Sequence, residues 1–114
     1  MSIKTYSTID TFLSNNNIQV HDSPALIELE NNLNGDIQSS YTNNNYFKFF
    51  YNFTRHIKPK KISELGVLGC YSILSMASAL NAIHSEASLT GYDLFEDYEF
   101  NSFSLNDAKK RVAK

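Results

Sequence analysis

The sequence of 114 residues contains one cysteine, two prolines, four glycines and no tryptophan. A single cysteine excludes an internal disulfide framework and a cysteine-based zinc cage. No apolar run approaches the roughly 18–20 residues that span a bilayer. The start, Met-Ser-Ile-Lys-Thr-Tyr, lacks the apolar segment of a secretory signal. We therefore expect a cytoplasmic protein without a membrane partner.

Positive charge is not in excess either, because ten Lys and Arg stand against twelve Asp and Glu for a net charge of −2. This balance lacks the basic footprint of a nucleic-acid-binding protein, and we expect no nucleic-acid partner. His21, His56 and His84 do not have the spacing of metal ligands, so we predict no metal site. The apolar fraction of 42% is sufficient for one packed domain.

Two short helices are predicted near the N-terminus. Ser7 with Asp10 approximates a capping box for a helix over residues 7–14. Ser23-Pro24 is a good start for a second helix, and Asn34-Gly35 supplies its end. The polar residues 36–45 then read as a loop.

A third helix, from about Asn44 to His56, is the most aromatic part of the chain. Helical spacing places four of its apolar residues on one face, with Phe47 and Tyr51 beside it, and we predict that this face packs on a sheet: Tyr46, Phe50, Phe53 and Ile57. Phe49 falls outside that face. Four basic residues surround the end of the helix, and we interpret them as a solvated helix C-terminus: Arg55, Lys58, Lys60 and Lys61.

The chain is organised around the stretch from Lys61 to Ser72, in which a short apolar run, a glycine-containing turn and an amphipathic helix follow one another. This order brings backbone amides and a helix N-terminus to a ligand. A second strand-like run, from Ser88, ends at Asp93, which lies 27 residues after Gly66. An acid at that distance suits a group that binds the ribose hydroxyls of a nucleoside cofactor. Ser104 with Asp107 then caps a last helix with a basic end.

The predicted fold class is α/β: N-terminal helices followed by the first βαβα of a Rossmann-like, doubly wound parallel sheet. Residues 1–43 form a helical cap and residues 44–114 a partial cofactor-binding domain, together one structural unit. A sheet of two strands has unpaired edges, so we expect the first half of a larger domain. We also expect a homo-oligomer, formed through the aromatic helix 44–57 or through the open sheet edge.

The segment Glu64-Leu65-Gly66-Val67-Leu68-Gly69-Cys70-Tyr71-Ser72 resembles motif I of class I S-adenosylmethionine-dependent methyltransferases. It is most similar to the branch of small O-methyltransferases, in which the motif commonly reads Glu-x-Gly-x-x-x-Gly-Tyr-Ser. Asp93 is placed like the acid that binds the cofactor ribose in that family. The resemblance covers roughly residues 44–114, the N-terminal half of such an enzyme, and implies methyl transfer to an unidentified small-molecule acceptor.

The resemblance implies S-adenosylmethionine as cofactor and assigns roles to particular residues. Gly66 would give the backbone room against the methionine portion, and Glu64 would favour the positively charged side of the cofactor. Tyr71 and Ser72 would open the helix beside it. The full set of expected cofactor-binding residues is Glu64, Gly66, Val67, Gly69, Tyr71, Ser72, Asp93 and Leu94.

This sequence departs from the family pattern in two ways. Cys70 stands where the family usually has its last glycine, which costs on the order of 1 kcal/mol if the position requires a positive φ. We interpret Cys70 as a packing residue. The catalytic residues and acceptor pocket of the family come mostly after a third strand, so the catalytic residues here are unknown. The acidic cluster Glu96, Asp97 and Glu99 is interpreted as a solvated loop.

Two alternatives stay open. In the first, the chain is a non-catalytic module that oligomerises through its incomplete sheet and aromatic helix. In the second, it is half of a nicotinamide-binding Rossmann domain, although Gly66 and Gly69 do not form the Gly-x-Gly-x-x-Gly pattern of that class.

Overall fold

The structure is a computed structural model that describes residues 4–6, 8–33, 46–67, 69–99 and 104–113. Five helices, two strands and one short 3₁₀ turn are described in these ranges. In chain order they are α1 (Ile9–Asn15), α2 (Pro24–Leu33), α3 (Tyr46–Ile57), β1 (Lys61–Leu65), α4 (Tyr71–Ala82), β2 (Ser88–Tyr92), the 3₁₀ turn (Phe95–Asp97) and α5 (Leu105–Val112).

Capping side chains start the helices, largely as predicted. The hydroxyl of Ser104 accepts the amide of Asp107 while the Asp107 carboxylate accepts the amide of Ser104, which confirms the capping box of α5. Helix α2 begins at Pro24, as predicted. The prediction for α1 was wrong by one residue, because Thr8 is the cap and accepts the amide of Thr11 at 3.1 Å. Ser7 and the predicted stop Asn34-Gly35 lie outside the described residues.

The buried face of α3 is displaced from the predicted one and centres on Phe47 and Tyr51, which the sequence placed beside it. Its buried residues are Phe47, Tyr51, Asn52 and Thr54, whereas Ile57 is 49% exposed. The burial shift of about one residue follows from the neighbours of α3, because the helix packs mainly on α4, α1 and α2 rather than on the sheet. Tyr51, fully buried, joins Phe47, Leu26 and Ala79 in the larger apolar core.

The aromatic residue outside the predicted face, Phe49, has partners on another helix. Its ring lies 5.4 Å from that of Phe12 in α1 and is stacked on Phe53 at 5.4 Å between centroids. Phe12 also contacts Tyr6, at 5.1 Å. Edge-to-face and offset arrangements of this kind stabilise aromatic pairs beyond the area that they bury. The aromatic content of α3 therefore serves two helix contacts, one on each side.

The two strands pair in parallel, which confirms the predicted βαβ unit. Lys61 lies opposite Ser88, Ser63 opposite Thr90 and Leu65 opposite Tyr92. These six side chains share one face and all are exposed, whereas Ile62, Glu64 and Leu89 are half-buried on the other face. Alternation between polar and apolar residues is typical of a sheet with one covered face, whereas parallel strands covered on both faces read as continuous apolar runs. The fold is therefore mixed α/β with a small parallel sheet, and the doubly wound domain stays a prediction.

Gly91 allows the turn after β1 and helix α4 to approach β2 closely. A Cβ atom at Gly91 would lie 2.6 Å from Val67 Cγ2 and 2.8 Å from Ile73 Cδ1. Real Cβ atoms do not come so near to other carbons, and both neighbours belong to a packed cluster with Cys70 and Ala108. A residue larger than glycine at this position would force the side chains of Val67 and Ile73 to move.

None of the described helices is long and apolar enough to cross a membrane.

The substitution Gly91→Ala is expected to lower the free energy of unfolding by about 1–3 kcal/mol, the usual cost of overpacking. Alanine is the better residue in a strand on propensity alone, so the loss isolates the close contact with Val67 and Ile73. Urea denaturation of this variant and of the control Ser63→Ala, on the exposed face, measures it. A Gly91→Ala protein as stable as the control would contradict the close approach.

Candidate cofactor-binding site

The turn between β1 and α4 depends on two residues in the left-handed region. Gly66 has φ of 81° and its amide donates to Tyr92 O at 2.8 Å, which extends the pairing with β2 by one bond. Cys70 has φ of 69° and its amide donates to Val67 O at 3.0 Å. The position that the family resemblance marks for glycine therefore does require a positive φ. Cysteine at this position costs on the order of 1 kcal/mol in backbone strain.

Cys70 is a packing residue, in agreement with its sequence interpretation. Its side chain is 1% exposed and lies in a cluster with Val67 and Ala108. Burial is the main reason that the pKa of the Cys70 thiol lies above its ordinary value, and the nearby Arg111 cation offsets part of this rise. A thiol held in its protonated form is a poor nucleophile.

Arg111 from α5 holds the turn in place, a role that the sequence did not indicate. Its Nη1 donates to the carbonyl oxygen of Gly69 at 2.8 Å, and its guanidinium lies 5.6 Å from the ring centroid of Tyr71. Gly69 fits tightly there, since a Cβ atom would lie 2.6 Å from Tyr71 Cζ. A basic residue near the end of a helix normally indicates only a favourable dipole contact. The sequence therefore carried no signal for this bond across 42 positions.

Glu64, near the carboxyl end of β1, has one satisfied carboxylate oxygen and one unsatisfied one. The hydroxyl of Ser72, in the first turn of α4, donates to Oε1. Oε2 is buried and has no hydrogen-bond partner among the described residues. Burial raises the pKa of Glu64 above its ordinary value; the Ser72 bond lowers it in part, and the negative charge of Asp93 raises it further. The carboxylate is therefore short of a donor or a cation.

Asp93 follows β2 directly and lies near Glu64. Its Oδ1 accepts the amide of Phe95 at 2.7 Å, and Phe95 has φ of 48°, so the carboxylate is held at the start of the turn. The register places Glu64 opposite Gly91, two residues before Asp93, so the carboxyl ends of both strands place negative charge in one region. Parallel neighbouring strands produce such a meeting of strand ends, and ligands of open α/β sheets bind at that edge.

The structure brings together four of the eight predicted site residues, namely Glu64, Gly66, Ser72 and Asp93. The remaining four are placed differently. Val67 and Gly69 are buried in the turn, Tyr71 lies against Arg111 and Phe47, and Leu94 is 66% exposed beside Asp93. Val67, Gly69 and Tyr71 therefore shape the turn, and Leu94 lies at its rim.

The acidic segment after Asp93 caps a helix. Glu96 is exposed, and its Oε2 accepts the amide of Leu105 at 2.9 Å, a bond that lowers the pKa of this carboxyl group below its ordinary value. Carboxylates favour helix N-termini for this reason. Within the described ranges, no group of three His, Cys, Asp or Glu side chains could hold a metal ion.

Comparison with known proteins adds no relative: no protein family, no curated protein and no solved structure matches this chain. The geometry of the turn and its two carboxylates is therefore what indicates a function for this chain.

Replacing Cys70 tests the strain in the turn. Cys70→Gly and Cys70→Ala both remove the buried sulfur, but only glycine relieves the positive φ. We expect the glycine variant to be more stable than the alanine variant by about 1 kcal/mol in urea denaturation. As a control, Ala82→Gly in α4 should lower stability by a similar amount. A Cys70→Gly protein less stable than Cys70→Ala would show that φ at residue 70 is not left-handed.

Proposed function

We propose that this chain binds S-adenosylmethionine at the turn between β1 and α4 and is the cofactor-binding part of a methyltransferase. The observation that carries the proposal is the Glu64 carboxylate, which is half-buried, hydrogen-bonded on one oxygen and unsatisfied on the other. Unpaired buried acceptors are rare in folded proteins and each requires a physical reason. A cationic ligand that donates to Oε2 supplies one.

The charges of the site suit this cofactor. Burial is the main cause of the raised pKa of Glu64, and the negative charge of Asp93 raises that pKa further. The cofactor carries an ammonium and a sulfonium group, and an opposite charge nearby lowers the cost of ionising Glu64. Perturbed carboxylates at the carboxyl edge of a parallel sheet are typical of functional sites.

The residues of the chain have separate tasks in this proposal. Ser72 holds the Glu64 carboxylate in one orientation, and Asp93 accepts hydrogen bonds from ribose hydroxyls. Nothing lies within 4 Å of a Cβ built at Gly66, so the backbone there is open to a ligand. When bound, the cofactor supplies an electrophilic methyl group, and the chain contributes by positioning it toward a small-molecule acceptor.

Isothermal titration with S-adenosylhomocysteine tests the proposal. Wild-type chain should bind with measurable heat, and Glu64→Gln should weaken binding by about tenfold, because a hydrogen bond to a charged group contributes roughly 1.5–3 kcal/mol. The control Glu28→Gln removes one exposed acid on α2 and should leave the affinity unchanged. No heat for the wild type at millimolar ligand, or equal losses in both variants, would contradict a cofactor site at Glu64.

The stability of Glu64→Gln, measured against pH, excludes misfolding as the cause of its weaker binding. A carboxyl group with a raised pKa in the fold contributes stability that is present below its unfolded pKa, about 4.3, and lost as the pH rises through the folded value. At pH 7 the wild-type fold therefore contains an ionised, partly buried carboxylate that lowers its stability, and Glu64→Gln does not. At pH 7 the free energy of unfolding of Glu64→Gln should equal or exceed that of wild type, with a gain of up to about 1 kcal/mol after allowance for partial exposure. Near pH 4 the two proteins should be equally stable.

A second candidate function, a non-catalytic oligomerising module, is favoured by one observation. Leu65 and Tyr92 are register partners on the open face of the sheet and are 82% and 55% exposed. Among the described residues each strand pairs only with the other, so both outer edges are unpaired. Large exposed apolar pairs next to open edges are typical of association surfaces.

Sedimentation velocity separates this candidate from the first. If the open face forms a homo-oligomer, Leu65→Ser should shift the chain toward monomer, while Ile27→Ser, equally apolar and 53% exposed on α2, should not. Both changes are on the surface and should alter stability by less than about 0.5 kcal/mol. A wild-type chain that sediments as a monomer at all concentrations would remove the support for this function.

A further inference from the structure

A polar cavity lies near the amino ends of the two strands, at the opposite end of the sheet from the turn. Its volume is about 370 Å³ and six described residues line it: Gln19, His21, Arg55, His56, Lys58 and Ile83. Lys58 and Ile83 belong to the segments that lead into the amino ends of β1 and β2, whereas Glu64, Gly66 and Asp93 lie at the carboxyl ends. The cavity is therefore separate from the proposed cofactor site.

The lining of the cavity is basic. Arg55 and Lys58 carry full positive charges, His21 and His56 add two imidazoles, and none of the six residues is acidic. A cavity walled by one sign of charge concentrates counter-ions of the other sign. The chain as a whole has a net charge of −2, so the positive charge at this cavity differs in sign from that of the protein.

Arg55 is held in place but is short of acceptors. Its Nη1 donates to the hydroxyl of Tyr51 at 3.1 Å, and its guanidinium lies 5.6 Å from the centroid of the same ring. Nε is buried and has no acceptor among the described residues. A guanidinium is a fixed fork of five N–H donors that matches the geometry of carboxylates and phosphates. The bond to Tyr51 is the one hydrogen bond of this guanidinium among the described residues, so an anion in the cavity would supply acceptor oxygens to its Nη groups.

Two backbone features hold His21 and Lys58 in place. The amide of His21 donates to Asn52 Oδ1 at 2.7 Å, and the fully buried Asn52 donates back to Lys48 O at 2.9 Å, so the segment before α2 is attached to α3. Lys58 adopts φ of 47° and its amide donates to Thr54 O at 3.1 Å. A left-handed lysine is unfavourable where glycine is the usual residue. A left-handed residue just after a helix is also a common way to end it, and Asn17 and His84 do the same after α1 and α4.

Solvation of the end of α3 explains only part of the basic cluster. Lys58, Lys60 and Lys61 are exposed, as that interpretation requires. Arg55 is half-buried, with its Nε shielded from water and unsatisfied. Favourable contact with the helix dipole does not require a cation to lose its hydration in this way.

We propose that this cavity binds the phosphate group of a small phosphorylated molecule, with Arg55 and Lys58 as its main charge partners. The two positive charges of Arg55 and Lys58 suit a group of charge near −1.5 to −2 better than a single carboxylate. The volume of about 370 Å³ lies at the lower end of the range for small-ligand sites, which fits a phosphate with a small attached group.

The test is an NMR titration of the 114-residue chain with inorganic phosphate, pyrophosphate and ribose 5-phosphate, each to about 10 mM. Saturable shifts are expected at the amides of His21, Arg55, Lys58 and Ile83, with little change from Glu64 to Ser72. Tighter binding of ribose 5-phosphate than of inorganic phosphate would support a phosphorylated metabolite. Equal affinities would support a site for the phosphate group alone.

Lys58→Gly is the informative variant, because glycine accepts the left-handed conformation and the fold should keep its thermal stability. It should weaken phosphate binding about tenfold, the usual effect of losing a charge-assisted hydrogen bond. Lys110→Ala, which removes one exposed positive charge on α5, should change affinity by less than about twofold. No saturable shift with any of the three ligands, or equal weakening by both variants, would overturn the proposal.

Discussion

The left-handed turn between β1 and α4 is the constraint on which the rest of the structure depends. It occupies only residues 66–70, and within them Gly66 and Cys70 both take positive φ values. This geometry lays α4 back over the sheet, where the missing side chain of Gly91 leaves space for Val67 and Ile73. It also brings Ser72, in the first turn of α4, within hydrogen-bond reach of Glu64 near the end of β1. Arg111 then fixes the turn from outside through the carbonyl of Gly69.

Unfavourable features concentrate around this turn. Cys70 occupies a conformation that glycine prefers, Glu64 has a buried oxygen without a partner, and the nearby charge of Asp93 raises the pKa of Glu64 further. Each of these features lowers the stability of the fold. Strain and perturbed carboxylates that occur together are typical of sites kept for binding rather than for stability. The second such location is the basic cavity, where Arg55 lacks an acceptor and Lys58 is left-handed.

The sequence predicted what depends on nearby residues and missed what depends on distant ones. The capping box of Ser104, the start of α2 at Pro24 and the succession of strand, turn and helix around Gly66 all follow from chemistry within a few positions. The predicted centre of the buried face of α3 was displaced, because aromatic residues occupy two faces of this helix and only the packing partners select between them. No local pattern connects Arg111 with Gly69 or His21 with Asn52, since these contacts cross 42 and 31 positions. The cavity is formed by three separate segments, and the sequence therefore indicated only a basic end of α3.

The most direct test of the central claim is an NMR titration with S-adenosylhomocysteine that observes the backbone amides of Gly66, Gly69, Ser72 and Asp93. A cofactor seated against the turn should shift these four amides in a saturable manner and leave those of His21 and Arg55, at the opposite end of the sheet, unchanged. Shifts absent from the turn at millimolar ligand, or confined to the basic cavity, would show that the Glu64 carboxylate is not a cofactor site.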